Sequence, residues 1–177
     1  MTRQDAVASL GNRLEGDRDA GVARRAAGTE FEDAVAPHYA ALTRRLVLVL
    51  GDEEDARDVA QDAYLNAFRN WSRFDGGDAR AWLYTIALRL AFNRLRRRRR
   101  WLAAFGRIEA RPWLEPSDPD LWAALGRLDA RTRAALLLNV VDGYTQAEIG
   151  DMLGVPTGTV ASWLSRGRAA LRLDLGR

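Results

Sequence analysis

Cysteine and lysine are absent from this sequence, and histidine occurs once, as His38. Without cysteine there is no disulfide framework and no thiolate metal site. A single histidine removes most nucleophile–histidine constellations and histidine-rich metal centres, so no metal and no other cofactor is expected. His38 itself is expected as a partly buried or surface side chain on a bundle helix. No apolar run approaches the ~20 residues that cross a bilayer, and the amino-terminal MTRQDAVASLGN has no apolar export segment. A cytoplasmic chain without membrane insertion is the expectation. With 177 residues, 47% of them hydrophobic, the chain suits one or two small domains with real cores.

All 27 basic residues are arginine, and they are unevenly placed. Met1 to Asp78 carries ten arginines and fifteen acids, Ala79 to Pro112 ten arginines and one acid, and Trp113 to Arg177 seven arginines and eight acids. A net of +3 therefore conceals segments of −5, +9 and −1. A positive field concentrated in one segment and preceded by an acidic one implies two partners: an anion at the centre and something basic or mixed on the acidic side.

The positive segment centres on Asp78 to Arg100, DARAWLYTIALRLAFNRLRRRRR. With Asp78 as N-cap, a helix from Ala79 to about Arg98 would be roughly 30 Å long at ~1.5 Å per residue. Trp82, Leu83, Ile86, Ala87 and Leu90 follow the spacing of a core face, and Tyr84, Leu88, Phe92 and Leu95 form a second apolar stripe. Between them Thr85, Arg89, Asn93 and Arg96 line up, with Trp82 at the margin. That narrow polar strip, flanked by an aromatic and continued by cations, suits a strand of nucleic acid. A merely solvated face of a bundle helix is the competing reading, and the arginine run weighs against it.

Before this helix, Met1 to Gly28 reads as a short frayed helix or disordered arm. Thr29 and Glu32 make a capping box for a helix carried by Phe31, Val35, Tyr39, Leu42, Leu46 and Val49 to Gly51, with Pro37 inside it. Asp52 caps the next helix, whose expected buried side is Ala56, Val59, Ala60, Ala63, Tyr64, Ala67, Phe68 and Trp71. Its outward face, Arg57, Asp58, Gln61, Asp62, Asn66 and Arg69, is either simply solvated or binds a protein. Phe74 to Asp78, FDGGD, is a turn.

After it, Trp101 to Ser117 loses the helical period and reads as an irregular linker with exposed apolar residues, either docking on something larger or packing back on the chain. Asp118 caps a helix with Pro119 at its first position and Leu121, Trp122, Leu125 and Leu128 inward. Asp129 caps another to Val141, with Leu136, Leu137, Val140 and Val141 expected to be buried. Thr145 and Glu148 form a second capping box, and Gly154-Val155-Pro156 turns into a last helix. Ile149, Gly150, Leu153, Gly154, Val155, Val160 and Leu164 occupy the positions a helix-turn-helix needs. The last helix is expected to bury Val160, Leu164, Gly167 and Leu171. It would present Thr159, Ser162, Ser165 and Arg166, with Arg168 and Arg172 flanking, and such side chains reach base edges in a major groove. A helical hairpin that binds protein is the alternative.

In this order, the acidic helix, the arginine-rich aromatic helix, the linker and the terminal helix-turn-helix resemble an extracytoplasmic-function sigma factor over roughly Phe31 to Leu175. DARDVAQDAYLNAFRNW resembles region two's polymerase-binding helix, RAWLYTIALRLAFNRLRRRRR the helix that engages the minus-ten element, and LDARTRAALLLNVVDGYTQAEIGDMLGVPTGTVASWLSRGRAAL region four. The resemblance implies an all-α fold: a flexible arm over 1–28, a region 2-like domain over 29–100, a linker over 101–117 and a region 4-like domain over 118–177. It implies core RNA polymerase as partner through Asp58, Gln61, Asp62 and Arg69. For minus-ten DNA, including the single non-template strand, it implies Phe74, Asp78, Trp82, Thr85, Arg89, Asn93, Arg96 and Arg97. For duplex minus-thirty-five DNA it implies Thr159, Ser162, Ser165, Arg166, Arg168 and Arg172. An anti-sigma factor is a further implied partner, and the free chain is expected to be a monomer. Three departures stand out. The turn before Trp82 is a residue short, Arg89 stands where some members have asparagine, and Ala161 and Trp163 fill positions often basic in relatives, implying fewer phosphate contacts or a different sequence preference.

Two other classes compete. A stand-alone helix-turn-helix regulator would be a dimer that binds palindromes without polymerase. An enzyme is disfavoured because no acid, base and nucleophile converge in the sequence, although paired carboxylates leave a metal open.

Overall fold

The computed structural model describes residues 3–105 and 118–176. Among the described residues there are seven α-helices, one short 3-10 turn and no strand, so the fold is all-α as expected. The chain divides into two compact units, Met1–Pro37 and His38–Arg177.

The first unit belongs to helix α1 (Arg3–Leu50), which begins far upstream of Thr29. Thr29 is therefore not the start of this helix. The stretch before it, Ala20 to Ala27, is rich in alanine and arginine, strong helix formers that give the helix no reason to start later. Pro37 lies inside α1, where it withholds the amide that would bond to the carbonyl of Asp33.

The second unit opens with the end of α1, which buries Leu42, Leu46, Val47, Val49 and Leu50 and stops at Gly51, whose φ of 71° suits glycine. Helix α2 (Glu53–Arg69) starts where the Asp52 side chain accepts from the Asp55 amide at 2.9 Å, with Glu53, Glu54 and Asp55 in its first turn. Its inward face is mostly alanine (Ala56, Ala60, Ala63, Ala67, with Val59), which lets α2 lie close against α3 (Ala79–Phe105). Phe68, expected inside, is 50% exposed. The alanine seam takes the packing role, and Phe68 sits one step round the helix from Ala67.

Helix α3 is started by Asp78, whose carboxylate accepts from the Ala81 amide at 3.1 Å. It does not stop near Arg98. Arginine and alanine carry it through Trp101–Phe105, the first part of the expected linker, because no glycine or proline intervenes before Gly106. The rest of that linker, with Ile108, Trp113 and Leu114, lies outside the described residues. The two expected stripes merge into one buried band of Leu83, Tyr84, Ala87, Leu88 and Ala91, with Trp82, Ile86, Leu90, Phe92 and Leu95 half-buried at its margins.

The carboxyl-terminal helices are α4 (Pro119–Arg127), α5 (Ala130–Val140), α6 (Gln146–Leu153) and α7 (Thr157–Leu175). Asp118 and Asp129 cap α4 and α5, and Thr145 with Glu148 forms the complete capping box of α6, all as the sequence implies. Gly154 adopts φ 65°, and the Val155 amide donates to the Gly150 carbonyl at 2.9 Å, closing the tight turn into α7. Helix α7 packs on α4, α5 and α6, burying Val160, Trp163, Leu164 and Gly167; Leu171 is only half-buried. Val140 and Val141 are exposed rather than buried, because α5 ends there and its inward side is already supplied by Ala134, Ala135, Leu136, Leu137 and Leu138. Leu121 is likewise partly exposed, at 36%. Helix α6 also packs against α3, and both belong to the second compact unit.

Candidate nucleic-acid interface

The turn between α2 and α3 gathers three rings. Trp71 and Phe74 stack at 4.7 Å with 17° between planes, and Trp82 from the first turn of α3 stands 5.3 Å from Phe74 and 5.9 Å from Trp71. All three are half-buried, so the cluster is anchored yet keeps accessible surface. Gly76, at φ 82°, and the Gly77 amide, which donates to the Asp75 carboxylate at 3.1 Å, shape the short loop beside it.

From this cluster the polar strip runs along α3. Arg89, Asn93 and Arg96 are exposed; Thr85 is half-buried and donates its hydroxyl to the Ala81 carbonyl at 2.9 Å. Arg96 donates to the Asn93 side-chain oxygen, and these two line an open cleft with Arg97, Arg99 and Arg100. The arginines are not equivalent. Arg94 turns to α2 and pairs with Asp55 at 2.6 Å and Asp58 at 3.4 Å, and Arg98 lies 3.9 Å from Asp55. The Arg94 guanidinium is accordingly held above its ordinary range, first by its hydrogen bond to Asp55, an effect that outweighs partial burial. Arg96, Arg97, Arg99 and Arg100 have no carboxylate partner among the described residues, so the net positive field faces the cleft.

On α2, Asp58, Gln61, Asp62 and Arg69 are exposed along one face, as their helical spacing requires. Leu65, 41% exposed, lies on the same face, and Phe68 flanks it. These two apolar residues were not singled out from the sequence as part of that face; Leu65 at i+7 from Asp58 was the available signal.

On α7, Ser162, Ser165, Arg166, Arg168 and Arg172 are exposed and Thr159 is half-buried, close to the first turn. Ser162 donates to the Gly158 carbonyl at 2.9 Å, and Arg168 donates to the Asn139 side-chain oxygen at 2.7 Å. Trp163, at a position often basic in relatives, is buried. It is a core side chain of the helix-turn-helix. The support beneath α7 is electrostatic as well as apolar. Burial would raise the Asp129 carboxyl, but the side-chain and backbone hydrogen bonds of Thr132 and that of the Arg131 amide, with the charge of Arg166, pull it below its ordinary value.

Sequence reasoning missed one buried group. Asp142, in the turn after α5, is paired with Arg45 of α1 at 3.1 Å and Arg80 of α3 at 2.6 Å. Its two partners come from segments that are distant in sequence, and no local pattern signals such a convergence.

Residues 28–101 match the Sigma-70 region 2 family and residues 119–171 match Sigma-70, region 4. The chain is 33% identical over 152 residues to ECF RNA polymerase sigma factor SigL of Mycobacterium tuberculosis, covering 78% of this chain and 84% of SigL. It is 29% identical to SigW of Bacillus subtilis, with 91% of each chain covered. It is 32% identical to SigE of Mycolicibacterium smegmatis, spanning 84% of this chain but only 62% of that protein. Among solved structures, CnrH in complex with the cytosolic domain of CnrY shares 28% identity and a TM-score of 0.63 over 89% of this chain and 94% of CnrH. The sigma factor RpoE, in complex with the anti-sigma factor NepR from Bartonella quintana, shares the fold with a TM-score of 0.76 at 24% identity, over 83% of this chain and 97% of RpoE.

Proposed function

Because this chain belongs to the extracytoplasmic-function sigma factors, the small RNA polymerase subunits built on regions 2 and 4, we propose that it binds core polymerase through the exposed face of α2 and opens promoters with α3. In this reading Asp58, Gln61, Asp62 and Arg69, with Leu65 and Phe68 between them, meet the polymerase. The non-template strand of the minus-ten element lies along Thr85, Arg89, Asn93, Arg96 and Arg97, with Asp78 at the head of the helix. One base stacks on the Trp71, Phe74 and Trp82 rings. Thr159, Ser162, Ser165 and Arg166 read the minus-thirty-five element, with Arg168 and Arg172 on its phosphates.

The observation that carries the proposal is the polar, cationic strip of α3 beginning at an aromatic cluster, since stacking surface beside arginines that have no carboxylate partner among the described residues is what an unpaired strand requires. Energy explains the dependence on polymerase. Separating a handful of base pairs costs on the order of 5 to 7 kcal/mol at ~1.4 per step. Capturing one or two unstacked bases returns only ~1 to 3 kcal/mol each, so binding to the large enzyme supplies the remainder.

The stand-alone dimeric regulator is not favoured, because region 2 accompanies the helix-turn-helix. The relatives are sigma factors, and none of the matched names implies catalysis. No described helix is long and apolar enough to cross a membrane. We place the protein in the cytoplasm as a monomer, with an anti-sigma factor as a further partner by analogy with the NepR and CnrY complexes of its structural neighbours. Run-off transcription with core polymerase tests the proposal. Transcripts that appear only when this chain is added support it, and none from any genomic promoter would refute it.

A further inference from the structure

Asn139, half-buried near the carboxyl end of α5, uses both ends of its side-chain amide. Its nitrogen donates to the Tyr144 carbonyl at 2.8 Å, and its oxygen accepts from the Arg168 guanidinium of α7 at 2.7 Å. Each bond fixes the other. A flipped amide would turn its NH2 toward a guanidinium, which only donates, and its oxygen toward a carbonyl, which only accepts, so one orientation alone satisfies both neighbours. The Tyr144 end is itself firm. The Tyr144 amide donates to the Leu138 carbonyl at 3.0 Å, Gly143 makes the turn at φ 80°, and Thr145 immediately after caps α6. Arg168 is thus tied, through a single side chain, to the point where the first helix of the helix-turn-helix begins.

The chemistry of that partner separates Arg168 from the arginines committed to ion pairs. Arg94 and Arg127 face carboxylates, Asp55 at 2.6 Å and Asp174 at 2.9 Å, which oppose their charge. An amide oxygen carries no net charge. It takes one guanidinium N–H group and leaves the rest, with the positive charge intact, for a further acceptor. Arg168 is exposed and has no carboxylate partner among the described residues, so that acceptor would come from outside the chain. A phosphate contact benefits from such an arrangement, because a long side chain whose rotamers are already restricted loses less freedom when the ligand arrives.

We infer that Asn139 is a positioning residue for DNA, presetting the Arg168 guanidinium for a backbone phosphate of the minus-thirty-five duplex while leaving its charge uncancelled. The inference rests on the role of Arg168 proposed above and adds to it a residue of another helix, 29 positions away, that acts only through Arg168.

A double-mutant cycle tests it on the affinity of holoenzyme, core polymerase with the full chain, for promoter DNA. Arg168→Ala should weaken binding and lower the slope of log affinity against log salt by about 0.9, the share of one phosphate on duplex DNA. Asn139→Ala should weaken binding about threefold to tenfold in the wild-type chain, and not at all where Arg168 is already alanine. Asn139→Asp keeps an acceptor but opposes the charge, so it should reproduce the salt slope of Arg168→Ala and add nothing to that variant. Thermal midpoints are taken alongside, and if Asn139→Ala loses the fold, Asn139→Asp in the two backgrounds decides. Equal losses with and without Arg168 would mean that the amide only braces the turn, and tighter binding by an Asn139 variant would mean that it holds Arg168 away from DNA; either result overturns the inference while leaving the sigma reading intact. Wild-type holoenzyme that binds no promoter would refute the sigma reading, and the inference with it.

Discussion

Gly150 and Val155 are in direct backbone contact across the helix-turn-helix: the Val155 amide bonds to the Gly150 carbonyl at 2.9 Å, and a Cβ on Gly150 would stand 2.8 Å from the Val155 carbonyl oxygen. Backbone cannot yield there as a side chain would. Gly150→Ala is expected to cost about 1 to 3 kcal/mol of stability through overpacking. It should lower the thermal midpoint and minus-thirty-five binding together. Gly167→Ala meets mainly the Leu136 and Thr132 side chains, which can rotate, and should cost less. Thermal unfolding of both variants checks the order, and a larger loss at Gly167 would contradict it.

Arg89 is exposed on the strip next to the aromatic turn and is assigned to the unpaired strand. Arg89→Ala is expected to weaken strand opening more than duplex binding, measured with a fluorescent base in the minus-ten element against a closed-duplex mobility shift. Equal losses in the two assays would remove Arg89 from that role.

Arg166 is exposed on the recognition helix. Its replacement by alanine should cost about 1 to 3 kcal/mol at one base pair and relax selectivity there. Footprints on a set of minus-thirty-five variants give the readout, with an unchanged preference counting against the assignment.

Arg99 and Arg100 line the cationic cleft without carboxylate partners among the described residues, so they are expected to act on phosphates. Each change to glutamine should lower the slope of log affinity against log salt by about 0.7 to 0.9 if it touches one phosphate. A salt titration of holoenzyme on promoter DNA measures this directly, and an unchanged slope would show that the cleft faces something else.

Acid should loosen the helix-turn-helix. Asp129 and Glu148 are both held below their ordinary values, Asp129 by the Thr132 and Arg131 bonds that overcome its burial, Glu148 first by the Thr145 amide. A carboxyl depressed on folding contributes stability above its unfolded value and loses it as pH falls through the folded one. The thermal midpoint should therefore be flat above about pH 5 and decline below about pH 4. Asp129→Asn should flatten the decline, and a midpoint rising on acidification would have the wrong sign.

The sequence showed most of the helices because their signals are local. The caps at Asp52, Asp78, Asp118, Asp129 and Thr145 each act within three residues, and each is seen in the structure. The Thr29 start failed for a related reason: a capping pair marks a helix end only where the preceding residues do not themselves favour helix. Phe68, Val140 and Val141 were misplaced because apolar character does not say which of two adjacent helix faces will be covered. Trp163, at a position often basic in relatives, serves the core. Asp142 was invisible, since Arg45 and Arg80 reach it from 97 and 62 positions away.

The most direct measurement of the central claim is the fluorescence of a base analogue in the minus-ten non-template strand, followed on mixing promoter, core polymerase and this chain. Signal should rise only when all three are present, and Asp62→Arg on the polymerase face should suppress the rise. A rise without polymerase, or none with it, would contradict promoter opening by a chain that depends on the larger enzyme.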